Sequence, residues 1–524
     1  MTSLSTLHAA ESRPNDALVA WAILLTGIGI SSVFALTDTL SLKIASLGLL
    51  WMFAGASCRF DIVHPYMWWG AFYVLYGIAG PLLADIGIHP LGFWGGRHVT
   101  QLDFGRVIEY EYLAFVIILL VIGPRRMDLS HAKNDVRAQR FLPGILPVLV
   151  ASTLILGALL GEIYIQGFAT KGDVWLHGSF LTRLGFSYNL VVMAAAAYLF
   201  SLFYRGHTKA AWLFLAFFIV IATASVFISG QRNFIMRFAI SAFFIVHIVH
   251  RRVNPVIIVV ALIVGLLSVA WLGGQKMAFV TGSLETADDG NGDLFAALDL
   301  AEKYAFLDAA SPLERFLKLS LVALFGTELM TSSNNLAIII DRVPNELPYL
   351  NGQTMFVSDI VRGVLPGFLV GQQIDTSMAI YQRVFFPEYL AQGAGPGFTL
   401  LGVGYMNFGV PGIIMIALIF ALAIRWIYRR AAASAFSFMF FVGAVPILVY
   451  SIRMDLAAPI SQSIKHVWLP LVVMAGISFL IRPAHHAVRK LRDRNDRRRG
   501  PGFHGTGPRE RRAAPAGGSK PNTP

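Results

Sequence analysis

Residues 254–272 read NPVIIVVALIVGLLSVAWL, and a few positions later residues 283–293 read SLETADDGNGD. The first stretch is uncharged and, at about 1.5 Å per helical residue, long enough to cross a hydrocarbon core of about 30 Å. The second opens a region of opposite character. From Gly273 to Gly397 the chain carries 14 of its 30 acidic residues together with seven Lys and Arg. No bilayer interior accommodates that density of charge. A membrane bundle therefore ends near residue 272, and a large polar loop begins there.

Working outward from this boundary, apolar runs of spanning length lie near 17–36, 39–57, 65–86, 107–123, 142–165, 185–203, 210–228, 234–249 and 254–272. Three more follow the loop, near 398–424, 434–451 and 466–481. A mean hydropathy of +0.63 with 14% charged residues excludes an ordinary water-soluble globule. The expectation is an all-α, polytopic membrane bundle of about twelve transmembrane helices with a large helical extracytoplasmic loop. It divides into a cytoplasmic N-terminus (1–16), about nine spans (17–272), the loop (273–397), about three spans (398–481) and a basic tail (482–524). The first span has no small-residue cleavage site and no strongly basic segment before it, so it reads as a retained helix.

Lys and Arg set the orientation. Arg125, Arg126, Lys133, Arg137 and Arg140, then Arg205 and Lys209, Arg251 and Arg252, and Arg425, Arg429 and Arg430 mark alternate short loops. With twelve spans the basic tail falls on the same side as these loops. The positive-inside rule then places both termini in the cytoplasm and the long loop outside. The net charge of +12 resides mostly in these cytoplasmic segments, so it reflects membrane insertion rather than nucleic-acid binding; the tail has no aromatic interleaving or reading helix. Its RKLRDRNDRRRG run is of the kind that touches anionic headgroups. A single cysteine, Cys58, excludes intrachain disulfides and Cys-based zinc clusters.

Within the loop, Asp289, Asn291 and Asp293 have the spacing that opens a calcium loop, but Leu294 and Leu300 stand where that pattern requires Gly and Glu, so a surface turn is expected. Residues 294–308 read as a short amphipathic helix, and Ser311, Pro312 and Glu314 form a helix start that runs to about residue 325. Further helices are expected over 332–340 and 354–364. The loop thus reads as a helical cap over the bundle.

The chain has no GxxxxGK[ST] loop, no HExxH helix, no GxSxG elbow and no DxD pair in the loop. No direct or inverted repeat is visible, which weakens a secondary-transporter reading. What stands out is arginine where positive-inside statistics deplete it: Arg232, Arg315, Arg342, Arg362, Arg383 and Arg453. Arg237 lies a turn inside its span, on another side of the helix from Arg232. The guanidinium fork suits anionic oxygens and stays charged at physiological pH. Outside the cytoplasm the oligo-anionic reactant at that depth is a lipid-linked pyrophosphate. Arg315 and Arg342 also have acidic neighbours, and Glu109, Glu111 and Glu162 are candidates for paired structural groups or a polar route.

Two segments carry a family resemblance. One is YLNGQTMFVSDIVRGVLPGFL (349–369); the other is GAGPGFTLLGVGYMNFGVPGIIM (393–415). With SGQRNF (229–234) and SIRMDL (451–456), they resemble the O-antigen polymerases (Wzy-type) and oligosaccharide repeat-unit polymerases. The resemblance covers about 225–455 and is topological elsewhere. It implies a membrane glycosyltransferase of the bacterial plasma membrane that needs neither metal nor other cofactor. Such an enzyme moves a growing glycan from undecaprenyl pyrophosphate to the terminal sugar of the next lipid-linked repeat unit, on the outer face. Membrane lipid and a chain-length regulator protein are the implied partners, and nucleic acid is not.

On that resemblance Arg232, Arg362 and Arg453 bind pyrophosphate, with Arg383 next in line, and Tyr405 and Asn407 contact substrate. Relatives often have an acidic residue where this chain has Val403; Asp359 is the candidate base in its place, or else an ion-pair partner of Arg362 one turn away. Gly409 and Gly412 read as close-packing positions, and Tyr405 and Asn407 have a packing role open to them as well. Two rival functions share the topology. An O-antigen ligase would place a functional His in its outer loop, and 273–397 contains none. A transporter or flippase of lipid-linked glycan would carry more charge in mid-span.

Overall fold

The structure, a computed structural model, describes residues 14–85, 102–127, 142–166, 190–229, 232–254, 329–365, 369, 374–387 and 397–481. Every regular element among them is helical. In chain order they are α1 (Pro14–Ala35), α2 (Leu40–Ser57), α3 (Pro65–Asp85), α4 (Phe104–Ile122), α5 (Ile145–Gln166), α6 (Leu190–Tyr204), α7 (Thr208–Ser229) and α8 (Arg232–Ile245). After the long polar region come α9 (Thr331–Arg342), α10 (Asp359–Val364), α11 (Ser377–Phe385), α12 (Leu400–Phe408), α13 (Val410–Ala431), α14 (Ala435–Tyr450) and α15 (Ala457–Ser463). Single π-helical turns precede α10 (Gln353–Ser358) and extend α8 (Val246–His250) and α15 (Ile464–Trp468).

Seven described helices are long and apolar enough to cross a membrane: Asp16–Ala35, Leu40–Ser57, Pro65–Asp85, Ile145–Glu162, Val410–Ala431, Ala435–Arg453 and Ala457–Ile481. Leu190–Tyr204, Thr208–Ala224 and Phe234–His250 are shorter apolar helices. The chain is thus an all-helical protein with the helices of a membrane bundle. The expected span 107–123 is α4, which carries Arg106, Glu109 and Glu111 in its first half. The expected span near 254–272, the turn at 283–293, the helices at 294–308 and 311–325 with Arg315, and the tail after residue 481 lie outside the described residues.

Two boundaries differ from expectation. The run 398–424 is two helices, α12 and α13, because Gly409 takes φ +64° and turns the chain. The last span starts at Ala457 rather than near 466: Asp455 caps its first turn by accepting the Ala458 N–H at 3.0 Å.

The core centres on α14, whose spanning window is 83% buried. It packs on α3, α8, α13 and α15. Aromatic side chains fill the contacts, with Phe441 edge-on to Trp68 and Phe244. Polar side chains inside the bundle are tied to backbone: Tyr66 Oη donates to the Leu119 carbonyl at 2.6 Å and Arg425 to that of Val121 at 2.7 Å. Lys43 pairs with Glu109 across α2 and α4. Arg237 donates to Gln462 Oε1 at 2.7 Å.

The polar region is more than a cap. Helix α9 is an interior element packed on α3, α4 and α12. Its first ten residues, TSSNNLAIII, are all buried, the polar five as deeply as the apolar ones.

Candidate functional site

The polar half of α9 reaches the bundle through small partners. Ser332 Oγ donates to the Ile452 carbonyl at 3.2 Å and meets the Thr399 hydroxyl at 3.1 Å. Ser333 Oγ accepts the Gly80 N–H at 3.2 Å, and Tyr381 donates to Asn335 Oδ1 at 2.7 Å. A Cβ at Gly80 would stand 2.3 Å from Asn334 Oδ1 and 2.6 Å from Ser333 Oγ, so a larger residue there would displace these side chains of α9. Beneath α9 lies a cavity with room for about one water, lined among others by Trp69, Tyr73, Glu111, Ser332 and Thr399. Glu111 is buried, and its Oε2 has no hydrogen-bond partner among the described residues.

Beside this lies the junction of the two segments that carry the family resemblance. The Tyr349–Gly352 turn is zipped onto the end of α12: Leu350 N donates to the Met406 carbonyl at 2.9 Å and Asn351 N to that of Asn407 at 3.1 Å. Gly352, at φ +82°, lies against the Phe408 ring, and Gly409 lies against Tyr349. A side chain at either glycine would strain the backbone and strike an aromatic ring. Tyr405 sits between Tyr110 and Tyr349, with ring centroids at 5.9 and 6.4 Å.

From Asn407 a line of polar groups runs to Asp359. Asn407 Nδ2 donates to the Val403 carbonyl at 2.7 Å and to Thr354 Oγ1 at 2.8 Å. Thr354 and Ser377 hydroxyls are 2.9 Å apart, and Ser377 Oγ donates to Asp359 Oδ2 at 2.9 Å. Thr354 Oγ1 also lies 3.2 Å from Asn407 Oδ1, so Asn407, Thr354, Ser377 and Asp359 form one buried hydrogen-bonded network.

Asp359 and Asp455 then meet at the start of α11. Asp359 Oδ1 accepts the Ser377 N–H at 2.9 Å. Asp455 takes the Met378 N–H and the Thr376 hydroxyl. Thr376 itself accepts the Ala379 N–H at 3.2 Å. The first N–H groups of α11, which no helix can satisfy internally, are thus held by two carboxylates and a threonine. Both carboxylates are buried. Burial, and then the neighbouring Asp455 charge, push the Asp359 carboxyl up to about 7. Burial also raises Asp455, against which its hydrogen bonds to Thr376, Ala458 and Met378 and the nearby Arg362 charge act.

The expected arginines divide. Arg362, on α10, donates through Nε to the Ile374 carbonyl at 3.0 Å and lies close enough to Asp455 for their charges to interact. Among the described residues it forms no ion pair with Asp359, the alternative role open to that carboxyl, whose oxygens accept from Ser377 instead. Arg453 ends the α14 span with its guanidinium over the Tyr450 ring at 5.0 Å, and its carbonyl accepts the Phe398 N–H at 3.2 Å. It therefore lies next to the Gly397–Thr399 strand of chain that leads into α12. Arg383 is exposed and pairs with Asp375. Arg342 is held by Glu346 at 3.5 Å and lies over Phe385. Arg232 starts α8, and its side chain lies outside the described residues. The structure thus brings together Asp359, Arg362 and Asn407, places Arg453 nearby on the α12 side, and leaves Arg383 on the surface.

Sequence reasoning missed Thr354, Thr376 and Ser377, and Asp455 entered it only as part of the SIRMDL segment. The Asp-Thr-Ser run at 375–377 is a helix-start signature that could have shown α11. No group of three or more His, Cys, Asp or Glu side chains suited to a metal occurs among the described residues. Comparison of the chain with protein-family models, with curated proteins and with solved structures finds no match in any of the three.

Proposed function

We propose that this chain is a lipid-donor glycosyltransferase of the bacterial plasma membrane, an oligosaccharide repeat-unit polymerase. It moves a growing glycan from undecaprenyl pyrophosphate to the terminal sugar of a lipid-linked repeat unit on the extracytoplasmic face. Both termini are cytoplasmic in this reading, and a chain-length regulator is its protein partner. One observation supports it above the others. The two segments that resemble repeat-unit polymerases are mated through Leu350 with Met406 and Asn351 with Asn407, and the first of them leads on through the turn Gln353–Ser358 to Arg362.

The reaction is direct displacement at the anomeric carbon. The acceptor hydroxyl attacks, the pyrophosphate leaves, and fixed cations stabilise the charge that develops on it. Arg362, Arg453 and Arg232 supply that charge, with Arg383 secondary because it already has a carboxylate partner. The Ile374 carbonyl fixes the rotation of the Arg362 guanidinium, which is the preorganisation such a site needs. Tyr405 and Asn407 shape the wall. Asp359 is the candidate base, and its hydrogen-bonded line to Asn407 connects its protonation to that wall.

The test is gene deletion followed by gel analysis of surface polysaccharide. A polymerase null leaves single capped repeat units. Lipid-bound polymer would instead mark a ligase, and single units trapped inside would mark a flippase. Alanine at Arg232, Arg362 or Arg453 should each abolish chain extension at normal expression, and full activity in all three would overturn the assignment.

A further inference from the structure

The segment from Gln353 to Val364 is built inside out for a helix in water. Thr354, Met355, Asp359 and Gly363 face inward and are buried. Phe356, Val357, Ile360 and Val364 face outward and are 38–56% exposed. A helix at an aqueous surface shows the reverse arrangement, apolar in and polar out. Four large apolar side chains on one short segment form a patch that water does not favour.

Where that patch lies is set by Gly363. A Cβ there would stand 2.8 Å from Ile460 Cβ and 3.1 Å from the Ala457 carbonyl, so α10 packs backbone-close on α15. Helix α15 is the first part of the spanning helix Ala457–Ile481. Further along, that helix exposes Ile464, Trp468, Leu469 and Val472, all apolar. Segment 353–364 is thus seated against the start of an apolar helix of spanning length whose own exposed side chains are also apolar.

We propose that Phe356, Val357, Ile360 and Val364 form a membrane-seated face: this part of the polar loop returns to the bilayer and lies in its interface, against the acyl chains beside the Ala457–Ile481 span. Its occupant is lipid, not a second protein. Helices with one apolar face seat themselves in this way at the headgroup–chain boundary. Arg362 leaves the same helix on another side, at the depth of the headgroup phosphates. The proposal does not depend on the glycosyltransferase reading, since it concerns only where the helix rests.

The experiment uses the full chain in phosphatidylcholine nanodiscs, with Val357→Cys or Ile360→Cys labelled by an environment-sensitive fluorophore. Glu346→Cys, on an exposed side chain, is the water-facing control. Buried Cys58 serves as the fold check, because it labels only when the protein opens. The expected result is a blue-shifted probe at 357 and 360, quenched several-fold more by chain-brominated lipid than by iodide, with the opposite preference at 346. Iodide quenching at 357 and 360 without bromolipid quenching would overturn the proposal, as would protection from both quenchers, which would show that another part of the chain covers the face. Two positions are used so that one poorly folded variant does not decide the outcome.

Discussion

A Cβ on Gly412 would stand 1.9 Å from the carbonyl oxygen of Gly404, and a Cβ on Gly404 would stand 2.3 Å from that of Gly412. The two helices either side of Gly409 therefore touch backbone to backbone, at a separation that only paired glycines allow. Gly404→Ala or Gly412→Ala should each cost about 1–3 kcal/mol through overpacking. Thermal unfolding in detergent micelles measures this. An unchanged melting temperature for both variants would show that the two helices are not held at this distance.

The second prediction concerns pH. Asp359 has a carboxyl pushed up to about 7 from an ordinary value of 3.8. The folded protein holds this proton more tightly than the unfolded chain does. Its contribution to stability is therefore complete below 3.8, is lost as pH rises towards 7, and does not change further above that. Melting temperatures in nanodiscs should fall across this window. Asp359→Asn, which resembles the protonated form, should flatten the fall; an identical profile in the variant would remove Asp359 as its cause. Asp359→Ala should be worse than Asn by about 1–3 kcal/mol, since it leaves the Ser377 N–H buried without an acceptor.

Arg362 provides a test of shape against charge. Its Nε is committed to the Ile374 carbonyl at 3.0 Å, which orients the rest of the fork. Lysine keeps the charge but cannot make that bond and present two parallel donors together. Arg362→Lys should lower chain extension by about 100-fold, the scale expected for one lost transition-state donor. Length distributions on polysaccharide gels and expression by immunoblot separate this from misfolding. Arg383→Lys should have little effect, because that side chain is already paired at the surface with Asp375.

A fourth prediction is chemical. Cys58 is fully buried, and burial pushes its thiol up to about 12. Thiolate is the reactive form, so maleimide should not label the folded protein at neutral pH and should label it stoichiometrically in denaturant. Labelling without denaturant would place Cys58 at an accessible surface.

The membrane helices were readable because apolar runs of spanning length are a one-dimensional signal, and α1, α2, α3, α5 and α14 lie within a few residues of expectation. The kink at Gly409 was not, because an apolar run does not reveal where the backbone takes a positive φ. Helix α9 was expected as a helix, but its depth was hidden: TSSNN has the composition of a surface segment, and its burial depends on partners at Gly80, Thr399 and Ile452 far away in sequence. The same limit applies to the site. Asp359, Arg362 and Asn407 were singled out from local motifs, whereas the meeting of Asp359 with Asp455 depends on how α10, α11 and α15 converge. Proximity of that kind leaves no mark in local spacing.

The buried Ser332–Asn335 segment has a consequence for biogenesis. A nascent chain cannot partition such a segment into lipid, since its hydroxyls and amides would have no acceptors there. Its sockets at Thr399 and Ile452 are translated later than the segment itself. Helix α9 must therefore wait outside the hydrocarbon until the C-terminal helices have been synthesised, and only then seat itself against α3, α4 and α12. Truncation before residue 452 would leave the helix without its socket at Ile452, however well the earlier helices insert.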